Sequence, residues 1–269
     1  MSTLNHDSSD TISAEAKDLA VSRIEKMRRI LKERRIVRVD ELTGELGVSA
    51  ATVRRDLLHM EHRGELRRVH GGAVAPESRL DEPLFDDKTS IAATEKHHIA
   101  EAALGLIRPK DSIFLDGGST ILALAALLHD RTDITVVTNS LRVAAELAGG
   151  GPALIVIGGE LRRLSQTFVG PLTRFTLDSI HVDRAFMGTI GITAEAGLTT
   201  TDPREAYTKS LIMEHAQEVI LLADSSKVGK VSFARFGALG KVGTLITDKG
   251  LAEGAARELR KQGIKTVIV

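Results

Sequence analysis

The sequence predicts two domains of different class: a small basic helical head ending in a β-hairpin, and a larger α/β domain on a mostly parallel sheet. Three observations carry this. The chain has 269 residues and 42% hydrophobic content, more length than one compact domain usually needs and ample apolar content for a core. Charge is segregated along a chain whose formal net charge is zero. Residues 20–74 hold 13 Lys+Arg against 8 Asp+Glu, while the stretches on either side are mildly acidic. In the second half, short apolar β-rich runs recur with helical stretches between most of them, the pattern of a parallel sheet covered on both faces.

Residues 1–19 read as a polar tail without fixed structure. Ser22-Arg23-Ile24-Glu25 has capping-box spacing and predicts a helix start. Ile24, Met27, Ile30 and Leu31 then share one helical face. Asp40 is placed as the cap of a second short helix carrying Leu42 and Leu46. Gly47 supplies a positive-φ turn, and Ser49 caps a third helix. On that third helix Val53, Leu57 and Met60 share the inner face, which leaves Ser49, Ala50, Ala51, Thr52, Arg54, Arg55 and His59 outward. Small residues let a helix settle into a major groove, Arg takes guanine O6 and N7 together, and Ser or Thr contacts phosphate or a base edge. Asp56 is assigned as an internal partner for a nearby arginine. After Gly64 the run Glu65 to His70 alternates as a strand and meets Gly71-Gly72, which reads as a β-wing. Arg67, Arg68 and His70 on this wing are placed near backbone or minor groove.

Residues 20–74 therefore read as a winged helix-turn-helix. Such modules also serve as protein docking platforms, but positive charge concentrated on the third helix and wing favours double-stranded DNA, where counter-ion release rewards it. An aromatic content of 3% argues against a stacking surface for single strands.

Residues 75–90, polar and interrupted by Pro76 and Pro83, have the composition of a linker. The α/β domain spans 91–269. A helix from Ala92 carries Ile99, Ala102, Ala103 and Leu106 on one side. Strands are predicted at Ser112–Asp116, Ile134–Thr138, Ala153–Ile157, Arg184–Met187, Val219–Ala223, Val242–Thr247 and Lys265–Val269. Sheets of this kind bind ligands beyond the carboxyl ends of their strands, so polar clusters there are the candidates. Asp116-Gly117-Gly118-Ser119-Thr120 ends one strand and opens a helix, as an anion cradle would; a plain turn would also use Gly-Gly and a hydroxyl cap. Thr138-Asn139-Ser140 and Gly158-Gly159-Glu160 follow the next two strands. Asp183 and Gly188 flank the fourth, Glu205 opens a helix bearing Lys209, and Lys227 follows a later strand as a neutraliser of phosphate. Taken singly, Arg162 and Lys209 read as salt-bridge residues. Together the clusters suggest a small, hydroxylated, anionic ligand.

Several chemistries are excluded or unsupported. With no cysteine there is no disulfide framework, thiolate zinc site or thiol nucleophile, which suits a cytoplasmic protein. The longest apolar runs have fewer than half the ~20 residues of a membrane span, and no secretory signal is read. The cradle lacks the lysine of an ATP-binding loop and the third glycine of a dinucleotide fingerprint, so no cofactor is expected. His59 with His62, and His97 with His98, are not completed into a metal set, and no catalytic triad is spaced along the chain.

Arg23, Met27, Leu31, Ser49, Thr52, Val53, Arg54, Arg55, Asp56 and Leu57 resemble the signature of the DeoR/GlpR family of bacterial transcription regulators. The wing Val69-His70-Gly71-Gly72-Ala73 is similar too, and the likeness covers nearly the whole chain from about residue 20. The resemblance implies a repressor of sugar-catabolism genes whose operator affinity responds to a phosphorylated sugar. A homo-oligomer, dimer or tetramer, is expected because a single module buries too little DNA surface for strong selectivity. The larger domain also resembles the ribose-5-phosphate isomerase fold, which raises an alternative: a sugar-phosphate isomerase carrying a DNA-binding head. Isomerases of that fold carry a lysine and glycine run where this sequence has Glu195-Ala196-Gly197, so sensing is preferred to turnover and no catalytic residue is assigned.

Overall fold

The computed structural model describes residues 22–34, 36–62, 65–69, 71–75, 82 and 85–269, without the side chains of His62, Arg67, Asp86 and Asp87. The expected tail, most of the expected linker, Gly64 and His70 lie outside the described residues. The chain divides into two compact units, Met1–Ser78 and Arg79–Val269.

The first unit comprises α1 (22–34), β1 (Ile36–Arg38), α2 (Val39–Leu46), α3 (Ala50–His62), β2 (Arg67–Val69) and β3 (Gly72–Val74). Met27, Ile30 and Leu31 from α1, Leu42 from α2 and Val53, Leu57 and Met60 from α3 meet in one core, as their periodicity requires. Burying each such side chain contributes roughly 1.5–3 kcal/mol. Gly47 ends α2 in the left-handed conformation, at φ 65°. Two expected caps are corrected. Ser22 already lies inside α1, and α2 begins two residues earlier than expected, with Arg38 as its N-cap and Asp40 inside the first turn. Asp40 there favours the positive end of the helix without capping it.

Strand β1 was not legible in the sequence. It pairs antiparallel with β3, which pairs with β2, so the wing is a three-stranded sheet of order β1-β3-β2. Gly72 makes this possible, since a Cβ there would stand 2.1 Å from the Val37 carbonyl oxygen.

The second unit runs α4 (Phe85–Ser90), α5 (Ala93–Leu104), β4 (Ser112–Leu115), α6 (Ser119–Ala126), β5 (Thr135–Thr138), α7 (Leu141–Leu147) and β6 (Ala153–Val156). It continues through β7 (Glu160–Arg162), β8 (Thr167–Val169), α8 (Arg174–Leu177), β9 (Val182–Met187), β10 (Gly191–Thr193), β11 (Gly197–Thr200) and α9 (Pro203–Glu214). It closes with β12 (Ala216–Leu222), β13 (Ala234–Gly237), β14 (Thr244–Thr247), α10 (Glu253–Lys261) and β15 (Lys265–Ile268).

Seven of these strands form one parallel sheet of order β15-β14-β12-β9-β4-β5-β6. All seven correspond to the predicted runs. Alternate residues face opposite cores: Ile113, Leu115, Phe186 and Ile246 pack with α5, α6 and α7, whereas Phe114, Met187, Leu221 and Leu245 pack with α9 and α10. From β4 the chain winds outward to β5 and β6, and from β9 it winds the other way to β12, β14 and β15. The winding therefore reverses between β4 and β9, where a doubly wound sheet opens a crevice beyond its carboxyl ends. A small antiparallel sheet, β10-β11-β13, and the hairpin β7-β8 complete the unit.

Candidate functional sites

On α3 the buried face of Val53, Leu57 and Met60 leaves Ser49, Ala51, Arg54, Arg55 and His59 exposed, with Ala50 and Thr52 half-buried. Ser49 Oγ accepts from the Thr52 amide at 3.3 Å and lies 3.0 Å from Thr52 Oγ1, so Ser49 caps the first turn of α3. Arg23 Nε donates to Asp56 Oδ2 at 2.6 Å and Nη2 donates to Oδ1 at 3.3 Å. This forked pair ties α1 to α3 and commits Asp56 to the interior. Arg68 is exposed on β2, and its amide donates to Glu61 Oε1 at 2.8 Å. The Arg67 side chain and all of His70 are outside the described residues.

In the second unit, Asp116 follows β4 and Gly188 follows β9, on the two sides of the reversal point. The Asp116 carboxylate, 1% exposed as a residue, accepts from the Gly188 amide at 2.9 Å and from Lys209 Nζ. Lys209 reaches this place from α9, donates also to Gly188 O at 3.1 Å and lies 5.3 Å from the Phe236 ring centroid. Burial alone would lower the Lys209 pKa. The carboxylates of Asp116 and Glu205 prevail and hold it above the ordinary lysine value, so the group is a cation.

Beside the pair, Gly117 and Gly118 lead into α6. A Cβ on Gly117 would stand 2.2 Å from Thr167 Cγ2, and Gly118 has φ 128°, so both positions demand glycine. The N-cap of α6 is Gly118, which places Ser119 and Thr120 in the helix's first turn, with Ser119 half-buried and Thr120 buried. One strand outward, Thr138 Oγ1 donates to Leu115 O at 2.6 Å and Ser140 Oγ accepts from the Val143 amide at 3.3 Å, capping α7. Both are buried and structurally engaged. Asn139 Nδ2 donates to Phe168 O at 2.9 Å, while its buried Oδ1 has no partner among the described residues.

Gly158 and Gly159 follow β6, and Glu160 on β7 is an exposed partner of Arg204. Lys227 sits in a 3-10 turn after β12. Asp183 is corrected. It lies at the amino end of β9, where its Oδ2 accepts from the Ser112 amide at 2.8 Å and Ser112 Oγ at 2.6 Å, and so it joins two strand starts at the edge opposite the crevice. Sequence alone has it flank the strand opposite Gly188 yet groups both with the ligand residues; the length of β9 separates the two edges.

The structure adds residues that the sequence left among linker and salt-bridge positions. Arg162, on β7, donates Nη2 to Glu82 Oε2 at 2.7 Å and to Thr201 Oγ1 at 3.1 Å, and Nε to Asp202 Oδ2 at 3.2 Å. Glu82 also pairs with Lys88, and Lys96 Nζ donates to the carbonyls of Lys88 and Ile91. Burial lowers Lys96 to about 8 against the opposing field of Asp224. Lys96 shares the buried face of α5 with Ile99, Ala100 and Ala103; its helical spacing from them was the one available signal. Burial raises Glu205, and Lys209 and Arg162 only partly offset this. Burial would raise Glu82 too, but Lys88, Arg162 and Thr201 outweigh it and hold that carboxyl at about 2. The crevice floor is thus a continuous network of buried charge. Among the described residues no group of three or more His, Asp or Glu side chains is arranged to hold a metal ion.

Residues 23–79 match the DeoR-like helix-turn-helix domain and residues 91–249 match the DeoR C terminal sensor domain. The chain belongs to the DeoR family. It is similar to the putative aga operon transcriptional repressor of Escherichia coli O157:H7, at 34% identity over 89% of this chain and 90% of that protein. It is also similar to the lactose phosphotransferase system repressor of Streptococcus mutans, at 36% identity over 84% of this chain and 91% of that protein. Among solved structures, ribose 5-phosphate isomerase A of Methanocaldococcus jannaschii matches at TM-score 0.39 and 19% identity, over 51% of this chain and 55% of the other. This DeoR-family chain is thus a transcriptional regulator with a DNA-binding helix-turn-helix and a sensor domain. None of its described helices is long and apolar enough to cross a membrane.

Proposed function

We propose that this DeoR-family regulator is a cytoplasmic repressor of sugar-catabolism genes, relieved by a phosphorylated sugar. The observation that carries the reading is the crevice where the sheet reverses. Two obligatory glycines and the first turn of α6 lie on one side of it, Gly188 on the other, and buried cations line its floor. Free N–H groups at the α6 start favour an anion, and the hydroxyls of Ser119 and Thr120 with the amide of Asn139 suit a polyhydroxylated body. Glu205 and Lys227 are read as further ligand groups, and Thr138 and Ser140 as supports that fix Asn139.

In the head, Ser49, Ala50, Ala51, Thr52, Arg54, Arg55 and His59 are proposed to enter the major groove, with Arg67, Arg68 and His70 on the wing against backbone or minor groove. A dimer or tetramer would read repeated half-sites, with coupling carried across residues 75–90. The names of the relatives, an aga operon repressor and a lactose phosphotransferase system repressor, support sugar-linked repression.

The test is to select bound DNA from a random pool using the full chain, with and without pentose and hexose phosphates. Selection of one motif, and its release by one phosphorylated sugar, supports the reading. Recovery of no motif, or equal stabilisation of the protein by phosphorylated and unphosphorylated sugars, removes it. A turnover assay on the same phosphates decides against the isomerase alternative if no product forms.

A further inference from the structure

Among the described residues, the most exposed large apolar side chains stand on α8 and the turn that precedes it. Phe175 is 87% exposed, and Leu172, in the 3-10 turn Pro171–Thr173, is 74% exposed. Three residues apart, the two share an outward face. Thr173 and Leu177 turn inward, Leu177 into the core that holds Phe114 and Val137. The element therefore has a packed inner face and an apolar outer one, where a surface helix ordinarily carries polar residues.

The apolar surface continues onto the edge of the main sheet. Strand β6 reads Ala153-Leu154-Ile155-Val156, and among the described strands β5 alone pairs with it. Ile155 and Val156 point to opposite faces, yet both are exposed. Just beyond the strand, a Cβ on Gly159 would stand 2.9 Å from Thr173 Cγ2, so the end of β6 adjoins the turn that carries Leu172. Leu161, on β7, is a further exposed apolar residue next along the chain. At the opposite edge β15 opens with the exposed Lys265, a charge of the kind that keeps a free edge from pairing. The four residues of β6 include neither charge nor proline.

Two charges accompany the patch. Arg174 Nε donates to Asp178 Oδ2 at 3.0 Å, four residues along, and both side chains are about half exposed. A surface with one charge of each sign calls for neither a polyanion nor a polycation. It is its own electrostatic complement, because a half-rotation about an axis between the two charges sets each against the opposite one of a second copy. Area points the same way. An aromatic side chain buries roughly 150–250 Å², so Phe175 supplies about a fifth of the ~800 Å² that each partner gives to a standard interface, and Leu172, Leu161 and Ile155 extend it.

We propose that the outward face of α8, with Leu172 and the β6 edge, is where two copies of this chain meet in an isologous contact. Phe175 of each copy is seated on the apolar patch of the other, and Arg174 of each lies beside Asp178 of the other. The inference rests on the homo-oligomer reading above and gives it a surface and a symmetry.

The experiment measures particle mass of the full chain by sedimentation across a range of concentrations. Wild type is expected as a dimer or larger. Phe175→Glu removes almost no packing within one chain, and should weaken self-association at least about thirtyfold, the loss of one hot-spot side chain, and at least halve the particle mass. Arg174→Asp leaves two acids in the patch and Asp178→Arg leaves two bases, so each variant alone associates more weakly than wild type. Mixed in equal amounts they should assemble, since every acid then meets a base across the axis. That rescue separates a lost contact from a lost fold.

A mixture of the two charge variants no larger than either alone overturns the proposal. If wild type is oligomeric and Phe175→Glu equally so, the oligomer reading stands and this surface falls. A wild type that is monomeric at every concentration removes both. If Phe175→Glu dissociates and the charge variants reassemble, yet wild type binds a duplex of two half-sites no more tightly than a single one, the surface stands and the half-site reading falls.

Discussion

Lys209→Met probes the crevice floor most sharply, because the ion pair it breaks is almost fully sealed. The Lys209 and Asp116 side chains are 3% and 2% exposed. Methionine fills much of the lysine stem's volume, so packing changes little. What is lost is the cation, along with its bond to Gly188 O at 3.1 Å. Asp116 is then left as a buried anion whose remaining partner is the Gly188 amide at 2.9 Å. Removing one member of a buried pair costs about 3–5 kcal/mol, most of it the burden of the stranded charge. For a unit of this size, roughly 2–4 °C of Tm follows each kcal/mol, so calorimetry of the full chain should show the transition of the second unit falling by about 6–20 °C. The double variant Asp116→Asn/Lys209→Met removes both charges and should recover much of the loss. A drop under about 1 kcal/mol in the single variant, or a double variant that loses the sum of two separate costs, would refute the assignment of this pair as a buried, mutually dependent charge couple.

Further expectations concern titration and backbone fit. Glu82 is held at about 2 when folded, against ~4.3 for an unfolded glutamate. Its contribution is therefore full above the unfolded value and lost as pH falls toward 2; urea stability of wild type and Glu82→Gln should converge in that window, and parallel curves would be contrary. Glu205 has the opposite sign, since burial raises its folded pKa and stability is lost as pH rises past the unfolded value. Glu205→Gln should thus be neutral or stabilising at pH 7, and a marked destabilisation there would contradict a buried charge that Lys209 and Arg162 only partly offset. Gly72→Ala places a Cβ against the Val37 carbonyl oxygen and should cost the head at least about 1–3 kcal/mol, seen as a lowered head transition and weakened DNA binding; full retention of both would show that β1 is not held there. For Arg54→Ala and Arg55→Ala, a base-reading arginine should cost ~1–3 kcal/mol at one operator position, whereas a phosphate-contacting one should weaken all sequences alike.

What the sequence disclosed and what it hid divide along physical lines. The seven strands of the main sheet were legible as short aliphatic runs, as in Ile113–Leu115 and Val219–Leu222; the five inner strands are largely buried, whereas the edge strands β6 and β15 are partly exposed and kept the same composition. The three helices of the head were legible from periodicity, and the pairing of Asp56 with an arginine from its position behind the outward face of α3. The three-residue strands β1, β7, β8 and β10 were too short to show any period. Cap placement failed at Ser22 and Asp40 because a capping residue type also suits the first turn, and only backbone geometry separates the two. In the crevice, the Gly-Gly turn and the caps were visible as local motifs. The charge network was not, since Asp116 meets Lys209 across 93 residues and Glu82 meets Arg162 across 80. No local spacing encodes a contact of that range. Asp183 shows the converse error: a residue that precedes a parallel strand lies at its amino end, so only Gly188, which follows β9, reaches the carboxyl edge.

The central claim is that one chain joins a DNA-reading head to an anion-answering crevice, and a single titration tests it most directly. Full-length protein is bound to its selected duplex at fixed moderate ionic strength, and sugar phosphates and their unphosphorylated parents are added in turn. The account predicts a saturable change in duplex affinity with one phosphorylated sugar and none with its parent. A protein that binds no duplex selectively, or one whose grip on DNA is indifferent to every phosphorylated sugar, would contradict it.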